Sequence, residues 1–268
     1  MHLNRAVEEQ ANFEVPADAY DRFMGRYSQH LSAQLADLAG VEAGQRVLDV
    51  GCGPGALTAE LVRRVGPAAV TAVDPSVSFV AALRERQPGV TVERAAAEEL
   101  PFPDGAFDAG IAQLVVHFMA DPVAGLREMG RVTRPGGAVA ACVWDHARDG
   151  TGPLSPYFRG VRRLDPSRPD ESGRAGVNPG HLRELFVAAG LGSLEQATLT
   201  VAIEYAAFEE YWAPFELRVG PTSAFISSLG PREYERLQEL VCDELPPAPF
   251  THEVRAWAVR GAPAGAGR

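Results

Sequence analysis

Lysine is absent from the sequence, and apart from histidine every basic side chain is arginine. Schiff-base chemistry and a lysine general base are thereby excluded. Long apolar runs are missing as well. No stretch approaches the roughly 18 residues of a membrane-span candidate, and the opening MHLNRAVEEQ lacks the charged-then-apolar pattern of a secretory signal. A cytoplasmic protein with no membrane partner is the expectation. Cysteine is scarce: Cys52, Cys142 and Cys242 are odd in number, far apart and in no metal-ligand spacing. Neither a disulfide framework nor a metal site is indicated. Clustered positive charge is also lacking. The net charge is −10, and basic residues gather no further than pairs such as Arg63-Arg64 and Arg162-Arg163. Nucleic acid and anionic surfaces are poor partners for such a field, and a small or uncharged molecule is favoured. Monomer and homodimer both stay open.

With 268 residues the chain is long enough for one elaborated α/β domain. Its first half alternates short apolar runs with amphipathic stretches. Strands are expected at Arg46–Val50, Ala69–Val73, Val90–Arg94, Phe107–Leu114 and Ala138–Trp144, which are rich in Val and Ala with little polar alternation. That is the pattern of strands covered on both faces. Helices are expected at Leu57–Val65, Ser76–Arg86 and Pro122–Val132, with Ser76 and Asp121-Pro122 as start signals. The β-α-β-α order implies a doubly wound, mostly parallel sheet. Residues 147–177 read as a long connection or lid with one short helix. A helix from Asn178-Pro179 to Ala189, a strand at Leu194–Glu204, a broken helical region Phe208–Leu245 and an alternating strand Thr251–Arg260 follow. The ending GAPAGAGR reads as a disordered tail.

The chemistry centres on VLDVGCGPGAL, Val47 to Leu57. Gly51, Gly53 and Ala56 satisfy the dinucleotide fingerprint, and Gly51, Gly53 and Gly55 satisfy a tighter one, so the glycines alone do not choose a ligand. A pyrophosphate needs backbone N–H donors and positive potential at the helix start. Pro54 removes a donor, and Asp49 places a carboxylate two residues before the first glycine. A cationic amino group and a sulfonium suit that turn better. Asp74, in VTAVDPS, lies at about the 20-residue separation at which a carboxylate receives a ribose diol, or else it caps the next helix.

With VDPS, AEELPFPDGAFDAGIAQLVVHF and RVTRPGGAVAACVWD, the glycine segment resembles the class I S-adenosylmethionine-dependent methyltransferases over residues 18–146. Within them it is similar to the small-molecule ubiquinone and menaquinone methylases. The resemblance implies a Rossmann-like seven-stranded sheet whose final strand is antiparallel and at the edge, a position that Thr251–Arg260 suits. An N-terminal cover helix would complete a single domain, with residues 18–146 as its cofactor-binding core and 178–260 supplying acceptor-side elements. It also implies that Asp49 with the Gly51, Cys52 and Gly53 backbone holds the methionine end of S-adenosylmethionine. Asp74 would bind the ribose, Pro75 and Ser76 would lie beside the adenine, and Ala97 and Glu98 would recognise the ring. Ala96 departs from the aspartate usual in relatives. Gln113 would line the methyl-transfer site, and Tyr20, Arg26 and Tyr27 are candidates for the cofactor carboxylate.

His117 and His146, after the fourth and fifth strands, are the candidate bases if the acceptor must lose a proton. The aromatics Phe118, Trp144, Tyr205, Phe208, Tyr211, Trp212 and Phe215 either wall an apolar acceptor pocket or form helix core. The expected function is methyl transfer to O, N or C of a small, partly apolar acceptor. A nicotinamide-dependent oxidoreductase and a non-catalytic cofactor-binding protein are the rivals.

Overall fold

The computed structural model describes residues 24–168, 170–217 and 222–263. The expected β-α-β-α order is present. Helix α1 (Arg26–Ala39) is followed by β1 (Val47–Val50), α2 (Ala56–Val65), β2 (Val70–Asp74), α3 (Val77–Arg86) and β3 (Thr91–Arg94). Next come β4 (Phe107–Gln113), α4 (Pro122–Val132) and β5 (Thr133–Trp144). Start signals explain the helix boundaries. Ser76 accepts a hydrogen bond from the Phe79 N–H at the head of α3, and Asp121 accepts one from Ala124 N–H ahead of Pro122. Ser76, not Asp74, is the cap.

The seven-stranded sheet has the order β3-β2-β1-β4-β5-β7-β6. The first five strands pair in parallel. Their core positions are apolar on both faces, because α1, α2 and α3 cover one side while α4 and α6 (His181–Ala188) cover the other. Val47, Ile111 and Ala140 face α1 and α2; Leu48, Ala112 and Val139 meet Leu126 and Met129 of α4.

Two expectations are corrected at the far side of the sheet. The last strand, β7 (Phe250–Pro263), is not at the edge. It lies between β5 and β6 (Leu191–Tyr205), antiparallel to both, in register from Val139↔Gly261 to Trp144↔Ala256 and from Leu191↔Pro263 to Tyr205↔Phe250. Val254, Ala256 and Ala258 are buried there, whereas β6 exposes Glu195, Gln196, Thr198 and Thr200. Exposed polar side chains suit an edge, and an apolar strand with small side chains belongs inside. The expected tail also begins later, since Gly261–Pro263 continue β7; residues 264–268 lie outside the described residues.

The long connection is more ordered than its composition implies. It carries α5 (Ser155–Leu164) and a 3₁₀ turn, Glu171–Gly173, with Tyr157 and Val161 buried. After β6 come α7 (Phe208–Glu216), α8 (Thr222–Ser228) and α9 (Pro231–Cys242), the last beginning at the expected Gly230-Pro231 break. Tyr205, at the end of β6, and Tyr211, Trp212 and Phe215 of α7 are buried core residues in ring contact with one another, as the core alternative requires. Among the described residues no helix is long and apolar enough to cross a membrane.

Leu126 on α4 is fully buried against the middle of the sheet. Leu126→Ala is expected to lower unfolding stability by about 3 kcal/mol, measured as a reduced urea midpoint at unchanged m-value.

Candidate active site

The carboxyl ends of β1, β2 and β4 converge on one edge of the sheet, where open α/β sheets receive ligands. The turn from β1 into α2 uses glycine for space as well as conformation. Gly51 and Gly55 have φ of 70° and 102°, and added Cβ atoms would stand 2.4 Å from Val115 Cγ2 and Leu83 Cδ1.

The hydrogen bonds of this turn decide its chemistry. The Gly51 and Cys52 N–H groups both donate to the Val73 carbonyl, at 2.8 and 3.0 Å, and Gly55 N–H donates to the Cys52 carbonyl at 3.0 Å. Gly53 N–H donates to Asp74 Oδ2 at 2.9 Å. Pro54 has no N–H. Gly51, Cys52, Gly53 and Gly55 therefore all spend their donors on the protein itself, and none of these four N–H groups is left for a pyrophosphate. The donor deficit expected from Pro54 extends to the whole turn.

Two carboxylates stand behind it. Asp74 bridges the turn and the head of α3, accepting from Gly53 N–H and, through Oδ1, from Ser76 N–H at 2.8 Å. Its burial raises its pKa, and these two backbone bonds oppose the rise. Asp49, 1% exposed, accepts from Thr58 Oγ1 at 2.5 Å through Oδ2, while Oδ1 is buried without a hydrogen-bond partner. Burial pushes its pKa up to about 7, the Thr58 bond pulls it back and the nearby Asp74 adds to the rise. Among the described residues no cationic side chain offsets this buried acid.

Two cavities flank the turn. The larger, about 280 Å³, is walled by Asp74, Pro75, Ala96, Ala97 and Glu98 and by Phe118 opposite. The smaller, about 40 Å³, is lined by Ser28, Asp49, Cys52 and Pro54. Gly51, Gln113 and Leu114 line both. Glu98 uses one oxygen to accept from Asp121 N–H at 3.2 Å, which fixes its carboxylate at the cavity rim. Ser76 lies beside this wall, but its hydroxyl serves the α3 cap and a 2.9 Å bond with Ser78.

The remaining sequence candidates lie elsewhere. Tyr20 falls outside the described residues. Tyr27 shares a 2.5 Å hydrogen bond with the Tyr205 hydroxyl, packs edge-on against Trp144 and lines neither cavity. The Arg26 guanidinium stacks over the Tyr205 ring, 5.0 Å from its centroid. These two contacts hold α1 against the end of β6, and neither residue lines either cavity. On the helix it is Gly25 and Ser28 that face the cavity.

His117, in the 3₁₀ turn after β4, lies 3.9 Å from the Phe118 ring, and its centroid is 6.3 Å from that of His146 beyond β5. Both are buried, and neither Nδ1 has a partner. Burial, the His146 ring and the Arg174 guanidinium hold His117 well below the usual imidazole range. Burial and Arg174 lower His146 to about 4. Both imidazoles are neutral at pH 7. Among the described residues there is no group of three or more His, Cys, Asp or Glu able to hold a metal.

The Methyltransferase domain family model matches residues 48–141, which hold the glycine turn, Asp74 and the wall of the larger cavity. An uncharacterized methyltransferase of Mycobacterium sp. strain KMS is 34% identical over 223 residues, covering 79% of this chain and 86% of the relative. The chain belongs to the class I S-adenosylmethionine-dependent methyltransferases. Rice 2-methyl-6-phytyl-1,4-hydroquinone methyltransferase 2 is 38% identical over 115 residues, 42% of this chain and 30% of the relative. For it and two further methyltransferases of quinone and lipid metabolism, the aligned part is 30–54% of the relative's length. The fold matches that of a phosphoethanolamine N-methyltransferase of Haemonchus contortus at TM-score 0.56 and 18% identity, over 92% of this chain and 56% of that one.

Some members of this methyltransferase's site carry no sequence signal. Ser28 contributes its main-chain carbonyl, and Leu114 lines both cavities with φ of 62°, a left-handed conformation that costs a branched residue energy. Asp49 supplies a testable property. Its folded-state pKa is raised, so between about pH 4 and 7 the folded protein keeps a proton that the unfolded chain has released. Stability from this group is therefore lost as pH rises through that window. Asp49→Asn is expected to be more thermostable than the parent at pH 8 and to lose that advantage at pH 4. Parallel melting curves of the two proteins across this range would refute the assignment.

Proposed function

We propose that this protein transfers a methyl group from S-adenosylmethionine to O, N or C of a small, partly apolar acceptor. The observation that carries the reading is the pairing of a turn whose N–H groups are spent internally with two buried, unpartnered oxygens, Asp49 Oδ1 and Gln113 Oε1. Such a site is built for cations. When bound, the cofactor supplies a sulfonium methyl open to in-line displacement, with a thioether as leaving group that needs no acid.

The protein's own residues position and desolvate. Asp49 receives the amino group, with the Gly51 and Cys52 main chain alongside. Asp74 receives the ribose hydroxyls while its bonds to Gly53 and Ser76 hold its carboxylate still. Pro75, Ala97 and Glu98 wall the adenine, and Ala96 leaves that wall without the acid usual at its position. Phe118, in the wall of the larger cavity, supplies apolar surface for the acceptor. Alignment of the two reactants in a dry site provides most of the acceleration.

Where the acceptor carries a removable proton, His117 takes it. Its imidazole is neutral, its Nδ1 is unpartnered, and it is stacked on a residue of the cavity wall. His146 lies behind it as a second neutral imidazole. Relatives named for hydroquinone, demethylmenaquinone and malonyl-carrier-protein methylation support an acceptor with an acidic carbon or hydroxyl and an apolar body.

Calorimetry with S-adenosylhomocysteine, S-adenosylmethionine and NAD separates the reading from a nicotinamide enzyme: binding of both sulfur compounds and not of NAD is expected, and the reverse refutes it. Asp74→Ala should weaken both sulfur compounds by about 100-fold or more, since two hydrogen bonds to a charged acceptor are removed. Ionised Asp49 is the form that receives an amino group, so affinity should rise with pH up to about 7 and then level off. With a prenylated hydroquinone as acceptor, His117→Ala should reduce kcat by about 100-fold or more. The parent rate should show no loss from His117 protonation between pH 8 and 6, because its pKa lies well below that range.

A further inference from the structure

Gln113 joins three parts of the site. It ends β4, lines both cavities, and its side-chain amide reaches helix α1, where Nε2 donates to the Ser28 carbonyl at 3.1 Å. A carbonyl can only accept, so this bond fixes which end of the amide is which. Oε1 is left buried, without a hydrogen-bond partner among the described residues. Ser28 is itself held, its hydroxyl donating to the Met24 carbonyl at 3.0 Å while its carbonyl also receives the Ser32 hydroxyl at 2.8 Å.

This inference rests on the cofactor reading above. In S-adenosylmethionine the sulfur connects the ribose to the amino-acid chain. The ribose belongs with Asp74 in the larger cavity and the amino group with Asp49 in the smaller, so the sulfur falls where the two meet. Among the described residues only Gly51, Gln113 and Leu114 line both, and of their side chains only that of Gln113 carries a polar atom. We infer that Gln113 is a positioning residue that turns Oε1 toward the sulfonium and its methyl group and anchors helix α1 through Nε2. A fixed partial negative charge there favours the charged methyl donor over its neutral product, and the same amide plane links donor binding to the seating of α1.

The test compares S-adenosylmethionine with S-adenosylhomocysteine, which differ only in the methyl and the positive charge. In calorimetry, Gln113→Met, a side chain of similar length without the amide, should lose about tenfold or more of its affinity for the donor and threefold or less for the product. Hydrogen exchange should show donor-induced protection of residues 26–39 in the parent and its loss in the variant. Gln113→Glu retains an oxygen and loses the donor to Ser28. It should keep the preference for the methyl donor while α1 exchanges faster, and it serves as the second variant if Gln113→Met does not fold. Equal loss of both ligands in Gln113→Met, or loss of the preference in Gln113→Glu, overturns the assignment to the sulfonium. If the parent binds neither compound, it is the cofactor reading itself that fails.

Discussion

The site depends on the bond between Gly53 N–H and the Asp74 carboxylate. It closes the glycine turn onto the end of the neighbouring strand, and with the Gly51 and Cys52 bonds to Val73 it leaves the turn with little left to donate. The same glycine spacing with its N–H groups turned outward would be an anion site. Turned inward, the turn becomes a smooth main-chain wall, and the functional charge passes to the side chains behind it. Among the described residues no cationic side chain neutralises Asp49 or Asp74, and on the proposed function the ligand supplies the compensating charge. The raised pKa of each acid expresses that arrangement in the ligand-free protein.

The architecture serves the same end. Parallel strands buried on both faces bring β1, β2 and β4 to one edge, so residues separated by more than sixty positions, Asp49 and Gln113, border a single small cavity. The second half adds α5 and α7–α9, whose aromatic side chains pack on one another and on Tyr205 of β6, the hydroxyl partner of Tyr27 on α1. Tyr27 and Arg26 spend their polar groups on Tyr205, which fixes the helix whose other side carries Gly25 and Ser28 to the cavity. A helix held in this way keeps Gly25 and Ser28 in the wall of the smaller cavity.

Much of the fold was legible because its signals are local. Apolar runs marked the parallel strands, Ser76 and Asp121-Pro122 marked helix starts, and the downstream segments in family register named the class. The strand order at the far edge was less accessible. Thr251–Arg260 alternates as an edge strand would, and only its pairing with both β5 and β6 shows that its alanines sit inside. The contact of Tyr27 with Tyr205 was inaccessible for a related reason: helical periodicity says which residues share a face, not which neighbour that face meets.

By itself the sequence determined the class of chemistry, since lysine is absent, Pro54 lacks a donor, and Asp49 and Asp74 stand at fixed spacing from the glycines. Those are properties of covalent structure and short-range geometry. The tertiary structure alone decided that the Gly51, Cys52, Gly53 and Gly55 N–H groups are used internally, that Asp49 Oδ1 and Gln113 Oε1 are buried without partners among the described residues, and that Ser28 fixes the orientation of the Gln113 amide. The reason is that hydrogen-bond satisfaction is a sum over neighbours from distant parts of the chain. No local pattern encodes which buried atoms are left for a ligand.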